Sequence, residues 1–331
     1  MPKYQKPKLK MGQVGFPAAT SLYLVMDSAA AEEERGTKNP NSILCIQWNT
    51  VYLINKGKME FDLEDPLASF KEEQSFAMSQ LFASESDHMP SPNCLSSTHF
   101  RVSFRCQAIS LILQVQLSCN LDPFVTYLAI NYLHRFMSSQ EIPQGKPWFL
   151  RLVVISCLSL ASKMKNTTFS FSDMQKEGSN FEAQSIQNME LLILGALKWR
   201  MRSITPFSFL HFFISSAGIK DQSLKQALKK RASEIIFNAQ NDIKLLEYKP
   251  STIAATALIF VSHELLPQQY PILRASITAC EYLDEETLSK CLDLMQEIVR
   301  MEANKLMIDT SFLSTETPVS VLERSTKRQR I

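Results

Sequence analysis

The chain has 331 residues and a formal net charge of +2, which leaves room for two domains and gives no general drive toward nucleic acid or membrane. Only 8 residues are glycine, against an average share of about 7%, so Gly-rich phosphate loops and a hairpin-rich β fold are both disfavoured. The 7 cysteines lack a Cys-x-x-Cys spacing; Cys106 and Cys157 fall on apolar helix faces and read as small core residues of a reducing compartment.

Residues 1–58 hold eight basic side chains against four acidic ones, whereas residues 59–90 hold eight acidic side chains against Lys71 alone. The change at Met59 predicts a disordered extension over 1–58. It also predicts an acidic segment over 59–84 that ends in a helix over 69–84. Helices are then expected at 99–117, 122–137, 147–163 and 181–198, and at 206–217, 222–240, 250–263, 270–280 and 284–303. Asp122-Pro123 and Thr205-Pro206 each set a capping side chain before a proline at the first helical position. Asn180 and Asp284 are placed to cap the segments that follow them, and Glu285 and Glu286 favour a helix start. The segment from Pro147 to Lys163 is apolar on nearly every side, as the central helix of a bundle would be. Its best apolar run, Leu152 to Ala161, is bracketed by Arg151 and Lys163 and falls short of the ~18–20 uninterrupted residues of a membrane span. Beyond Ile308 order is expected to fade. Residues 304–331 form a polar tail with the basic cluster Lys327-Arg328-Gln329-Arg330, which suits either a nuclear-import signal or a solvated end. Pattern alone gives an all-α chain with two domains.

Several ordered runs are more specific. Tyr127-Leu128-Ala129-Ile130-Asn131-Tyr132-Leu133-His134-Arg135-Phe136 resembles the second helix of a cyclin box. Cys157-Leu158-Ser159-Leu160-Ala161-Ser162-Lys163-Met164 resembles the end of its third helix, and Met189-Glu190-Leu191-Leu192-Ile193-Leu194-Gly195-Ala196-Leu197-Lys198-Trp199 its fifth. Ser203-Ile204-Thr205-Pro206-Phe207-Ser208-Phe209-Leu210 and Tyr248-Lys249-Pro250-Ser251-Thr252-Ile253-Ala254-Ala255 resemble parts of the second cyclin fold of plant D-type cyclins. The resemblance spans residues 75–303. It is nearest to the class without the retinoblastoma-binding Leu-x-Cys-x-Glu motif, and Met59-Glu60-Phe61-Asp62-Leu63-Glu64 is similar to the natural start of that class. It implies two tandem five-helix cyclin folds, over 85–203 and 204–303, followed by the tail at 304–331.

The same resemblance implies site residues. Lys163 and Glu190 match the lysine and glutamate with which a cyclin grips its kinase, and Leu152 matches a leucine that supports the lysine. Both lie at the ends or margins of apolar helices, so a stable monomer is expected to present them to solvent; without the resemblance they would read as ordinary helix-margin charges. Phe104, Arg105, Gln107 and Leu111 occupy the family's substrate-docking patch, where Gln107 and Leu111 make a more polar and shallower version. The family pairs an arginine with an aspartate 29 residues on. Here Arg105 faces His134 at that spacing, so the carboxylate bridge is replaced by one hydrogen bond to a neutral imidazole, a weaker and pH-sensitive tie. Ile43-Leu44-Cys45-Ile46-Gln47 lacks both outer anchors of Leu-x-Cys-x-Glu, so no retinoblastoma-type binding through that motif is expected.

Catalytic fingerprints such as His-Glu-x-x-His, Gly-x-Ser-x-Gly and Walker loops are not found in the sequence, and the 5 histidines are scattered. The expectation is a non-enzymatic regulatory subunit, without cofactor or metal, that activates a cyclin-dependent kinase at the G1/S step. Kinase inhibitors are further partners the resemblance admits; nucleic acid and membrane are not expected. The nucleus is the expected location, with the cytoplasm open. The alternative is a cyclin-fold scaffold or transcription-factor-like binding module, for which Lys225, Lys229, Lys230 and Arg231 are the only hint.

Overall fold

Two nearly buried helices, one in each half of the chain, organise everything else. The computed structural model describes residues 74–167 and 181–313. The extension at 1–58, most of the acidic segment, Ile43 to Gln47, Asn180 and the basic cluster at 327–330 lie outside the described residues.

In chain order the helices are α1 (Gln74–Ser84), α2 (Pro92–Ser96), α3 (His99–Cys119), α4 (Pro123–Ser139), α5 (Pro147–Met164) and α6 (Ala183–Ala196). They continue with α7 (Phe207–Ser216), α8 (Gln222–Ala239), α9 (Pro250–Leu265), α10 (Tyr270–Thr278) and α11 (Glu285–Leu313). Short 3-10 turns at Glu85–His88 and Lys244–Glu247 complete the path. Among the described residues all regular structure is helical, as the sequence implied.

The start chemistry works as expected at two sites. Asp122 accepts from the Phe124 N–H at 2.8 Å, with Pro123 opening α4. Asp284 accepts from the Thr287 N–H at 2.8 Å ahead of α11. Thr205 departs from expectation. The helix begins one residue later, Pro206 occupies the cap position, and no side chain caps α7. Thr205 contributes its carbonyl instead, accepting from the Ser208 N–H at 3.0 Å.

In the first fold α5 packs between α3, α4 and α6. From Leu152 to Ser162 every residue is buried, which is why an amphipathic stripe was missing from its sequence. Helix α5 is long and apolar enough to cross a membrane, but 72% of that segment is buried inside the protein. Cys157 is fully buried here, while Cys106 on α3 is exposed, so only one of the two expected core cysteines is in the core. In the second fold α9 holds the same central place, packed by α7, α8, α10 and α11.

Helix α1 belongs to the second core and not to the first. Met78 and Phe82 are buried in the second cluster. The Phe82 ring lies 4.9 Å from that of Phe209 and stacks 4.4 Å from Tyr282. Just after α1, the buried Glu85 carboxylate accepts from both the N–H and the hydroxyl of Ser251, each at 2.9 Å, in the first turn of α9. A carboxylate there meets unpaired helix N–H groups and the positive end of the helix dipole. The described path thus runs from α1 on the second fold, crosses to build the first, and returns.

The return is stapled by α4. Tyr132 donates to the Met201 carbonyl at 2.6 Å, and the buried Arg135 donates to the Arg200 carbonyl at 3.0 Å and the Ser203 hydroxyl at 2.9 Å. Arg200 pairs with Asp87 at 2.6 Å, closing the linker onto the turn after α1.

Candidate functional site

The last two turns of α5 and the middle of α6 bring three polar side chains together. Ser159 and Lys163 are four residues apart on α5 and so share one face. Glu190 on α6 comes between them. The Lys163 ammonium reaches both carboxylate oxygens, at 2.7 and 2.6 Å, and the Ser159 hydroxyl donates to Glu190 Oε1 at 2.5 Å. The Lys163 side chain is 61% exposed and that of Glu190 only 10%. Solvent presentation of both charges was expected; the structure corrects this for Glu190, which is buried and faces inward. A buried carboxylate is costly without partners, and here two chain donors meet it.

The neighbourhood of the pair is apolar and open. Met164 follows Lys163 and Leu191 follows Glu190, and both are exposed, Leu191 by 52%. Past α6, Lys198 and Trp199 adopt left-handed backbone with φ of 53° and 60°. For residues with a Cβ this conformation costs roughly 1–2 kcal/mol each. It lets the Trp199 N–H bond back to the Leu194 carbonyl at 2.9 Å, closing the helix end. The turn leaves the indole 67% exposed. Exposed apolar residues next to a charged pair along the chain, as Met164 and Leu191 are, suit a protein-binding surface.

The other sequence-derived candidates divide. Leu152 has no exposed surface and lies in the first core, three turns before Lys163. It is a core residue of the helix that carries the lysine. Phe104 and Arg105 are also buried, so they are not open docking groups. The Phe104 ring packs 6.3 Å from Phe149 in the core. Of the proposed patch Gln107 is exposed, its amide donating to Ser103 at 3.0 Å, and Leu111 is half-buried.

The Arg105–His134 tie forms. Arg105 Nε donates to His134 Nε2 at 3.0 Å, and a second guanidinium N–H reaches the Asn241 carbonyl of the second fold at 2.8 Å. His134 must therefore be neutral and accept at Nε2. Burial first, and the adjacent Arg105 charge second, hold its pKa well below the usual histidine value. His88, in the turn after α1, is lowered to about 4 by burial and by Arg135 and Arg200.

Among the described residues no group of three or more His, Cys, Asp or Glu side chains could hold a metal. On α8, Arg231 is engaged by Glu234 at 3.2 Å and Glu264 at 3.3 Å. Sequence reasoning missed Ser159, Glu85 and the linker staple. Ser159 sits in a helix rich in small residues, and nothing local marks its hydroxyl as paired. Glu85 finds Ser251 across 166 positions.

Comparison with known proteins identifies the two folds. The cyclin N-terminal domain model matches residues 77–202, and the cyclin C-terminal domain model matches residues 204–317. The chain is 44% identical over 280 residues to cyclin-D6-1 of Arabidopsis thaliana, covering 80% of this chain and 90% of that one. It is 34% identical over 279 residues to cyclin-D6-1 of Oryza sativa subsp. japonica, covering 82% and 84%. Cyclin-D1-1 of Arabidopsis thaliana is 36% identical over 230 residues, covering 68% and 66%.

Proposed function

The chain belongs to the cyclin family, in its plant D-type branch, and on that premise we propose that it binds and activates a cyclin-dependent serine/threonine kinase and promotes the G1/S step. Cyclins are non-catalytic regulatory subunits. The observation that carries the reading is the Lys163–Glu190 pair, its ammonium exposed, with the exposed apolar residues Met164 and Leu191 next to it along α5 and α6. The lysine presents an N–H toward a partner's carbonyl groups, and the apolar side chains supply area.

Activation is a population shift. A cyclin face that binds only the kinase conformation with its regulatory helix swung inward stabilises that state by its differential affinity. The kinase's own lysine–glutamate pair and Mg²⁺ site then assemble. The protein works in the nucleus, and it lacks Leu-x-Cys-x-Glu engagement of retinoblastoma-type proteins. Kinase inhibitors that read the cyclin–kinase pair are secondary partners. The rival reading, a nucleic-acid-binding scaffold, needs a free basic face on α8. Of its four basic residues Arg231 is already paired with two glutamates, which shrinks that face and favours the kinase reading.

The test is to mix the purified chain with a purified cyclin-dependent kinase and measure co-elution and phosphorylation of a protein substrate. Stoichiometric co-elution with a large rise in kinase activity is expected. A chain that neither co-elutes with nor activates any of a panel of such kinases, yet retains DNA fragments on a column, contradicts the proposal and favours the rival.

A further inference from the structure

Ser159 is buried in the apolar helix α5, and its hydroxyl points at a charged group. A buried hydroxyl is costly unless bonded, and Ser159 has its bond in Glu190 Oε1 at 2.5 Å. A hydroxyl donating to a carboxylate is the stronger, charge-assisted kind of hydrogen bond. A carboxylate offers about four acceptor positions. Ser159 and the two Lys163 contacts occupy three of them. An ammonium has three N–H groups; two lie on Glu190, which leaves one for the exposed side.

On the reading that this pair meets the kinase, we propose that Ser159 is a positioning residue. Its hydroxyl fixes the Glu190 carboxylate, and through it holds the exposed Lys163 ammonium in one orientation before the kinase arrives. Without the hydroxyl, the carboxylate is restrained only by a lysine that is itself mostly in solvent. Lys163 then starts from many rotamers, and the ordering has to occur on binding.

A packing role is the alternative: a serine is small and lets α6 approach α5. The same interface supplies a control. Ser156, one turn earlier on α5, is also buried and facing α6, and its hydroxyl lies 3.5 Å from the Ile186 carbonyl. Ser156 touches backbone and Ser159 touches the charged pair. Alanine at either position removes one oxygen and keeps the helices' approach.

The experiment measures the dissociation constant of the full chain for a purified kinase that the wild type activates. Wild type is compared with Ser159→Ala, Ser156→Ala, Glu190→Gln and the Ser159→Ala/Glu190→Gln double variant. The positioning role predicts about tenfold weaker binding for Ser159→Ala, the scale of one charge-assisted hydrogen bond. Ser156→Ala should stay within about twofold on the same scale. In the Glu190→Gln background, Ser159→Ala should add less than its single effect, because it acts through the carboxylate. Ser159→Cys, a weaker donor of similar size, is the second variant should the alanine fail to fold, and it should fall in between. Equal losses at Ser156 and Ser159, or full additivity with Glu190→Gln, assign Ser159 to packing and overturn the proposal. Wild-type binding by Ser159→Ala alongside a weakened Glu190→Gln overturns it while leaving the kinase reading intact. Wild-type binding by Glu190→Gln overturns both.

Discussion

Replacing Glu85 tests how the chain is tied together, because one side chain joins the turn after α1 to the start of α9. In Glu85→Ala the Ser251 N–H and hydroxyl lose their acceptor inside the fold, where Ser251 is fully buried. A hydrogen bond to a charged group contributes about 1.5–3 kcal/mol net. Two such bonds are lost, and the helix-dipole interaction with them. Against this, removing the carboxylate relieves its burial. Burial is the largest influence on Glu85 and raises its pKa above the ordinary 4.5, outweighing the lowering by Ser251 and Lys249. The net cost should be about 3 kcal/mol, and a domain of this size loses about 2–4 °C per kcal/mol. Thermal melting at neutral pH should therefore fall by about 6–12 °C. Glu85→Gln keeps an acceptor for the Ser251 N–H and sheds the buried charge, so its cost should stay below about 1 kcal/mol. The pH dependence has a definite sign. Because the folded pKa is raised, the native state holds the proton longer than the unfolded state. The contribution of Glu85 is greatest below pH 4.5 and declines as pH rises through the folded value, and Glu85→Gln should abolish that decline. A Glu85→Ala protein that melts within about 1 °C of wild type would refute the reasoning, as would equal losses for Ala and Gln.

Three further outcomes are expected. His134 and His88 have depressed folded pKa values, so their stabilising contribution is complete above pH 6.5 and is lost as pH falls, for His88 through about 4. Urea denaturation in this acid range should show stability falling by up to about 1.4 kcal/mol per pH unit for each histidine, and His134→Gln should flatten the slope; an unchanged slope contradicts the assignment. Leu152→Ala should cost about 2–5 kcal/mol in denaturant unfolding, while the folded fraction keeps its kinase affinity, since Leu152 is wholly interior. A peptide of residues 40–50 should show no micromolar binding to a retinoblastoma-type pocket in calorimetry, because Ile43 and Gln47 stand where leucine and glutamate are needed.

The helical architecture was legible because its signals are local. Asp122-Pro123 and Asp284 act where they stand, and the all-apolar run of α5 announces a helix with no solvent face. The Arg105–His134 bond was also readable, since the cyclin resemblance supplied the spacing. Long-range pairing was not legible. Nothing near Glu85 reveals Ser251, and nothing near Arg135 reveals the linker carbonyls it holds. Exposure was the other blind spot. Phe104, Arg105 and Glu190 resemble surface positions of a family motif, but which side of a helix meets the core depends on partners distant in the chain. The end of α6 was read two residues late because Leu197 continues the apolar pattern, while Lys198 and Trp199 turn left-handed and expose the indole.

The central claim is that Lys163 and Glu190 form a kinase-binding pair and not a structural one. The most direct measurement is kinase affinity and activation by Lys163→Ala/Glu190→Ala, alongside circular dichroism and melting of the free protein. Removing both partners leaves no orphaned charge, and the Ser159 hydroxyl alone loses its acceptor, so the free variant should fold with a stability loss of no more than about 1–3 kcal/mol. Losing interfacial charge contacts should cost about 2–5 kcal/mol in binding, a weakening of about 30-fold or more, and activation should collapse at concentrations where wild type saturates. A folded double variant that activates the kinase at wild-type concentrations contradicts the claim, and one that unfolds assigns the pair to the fold.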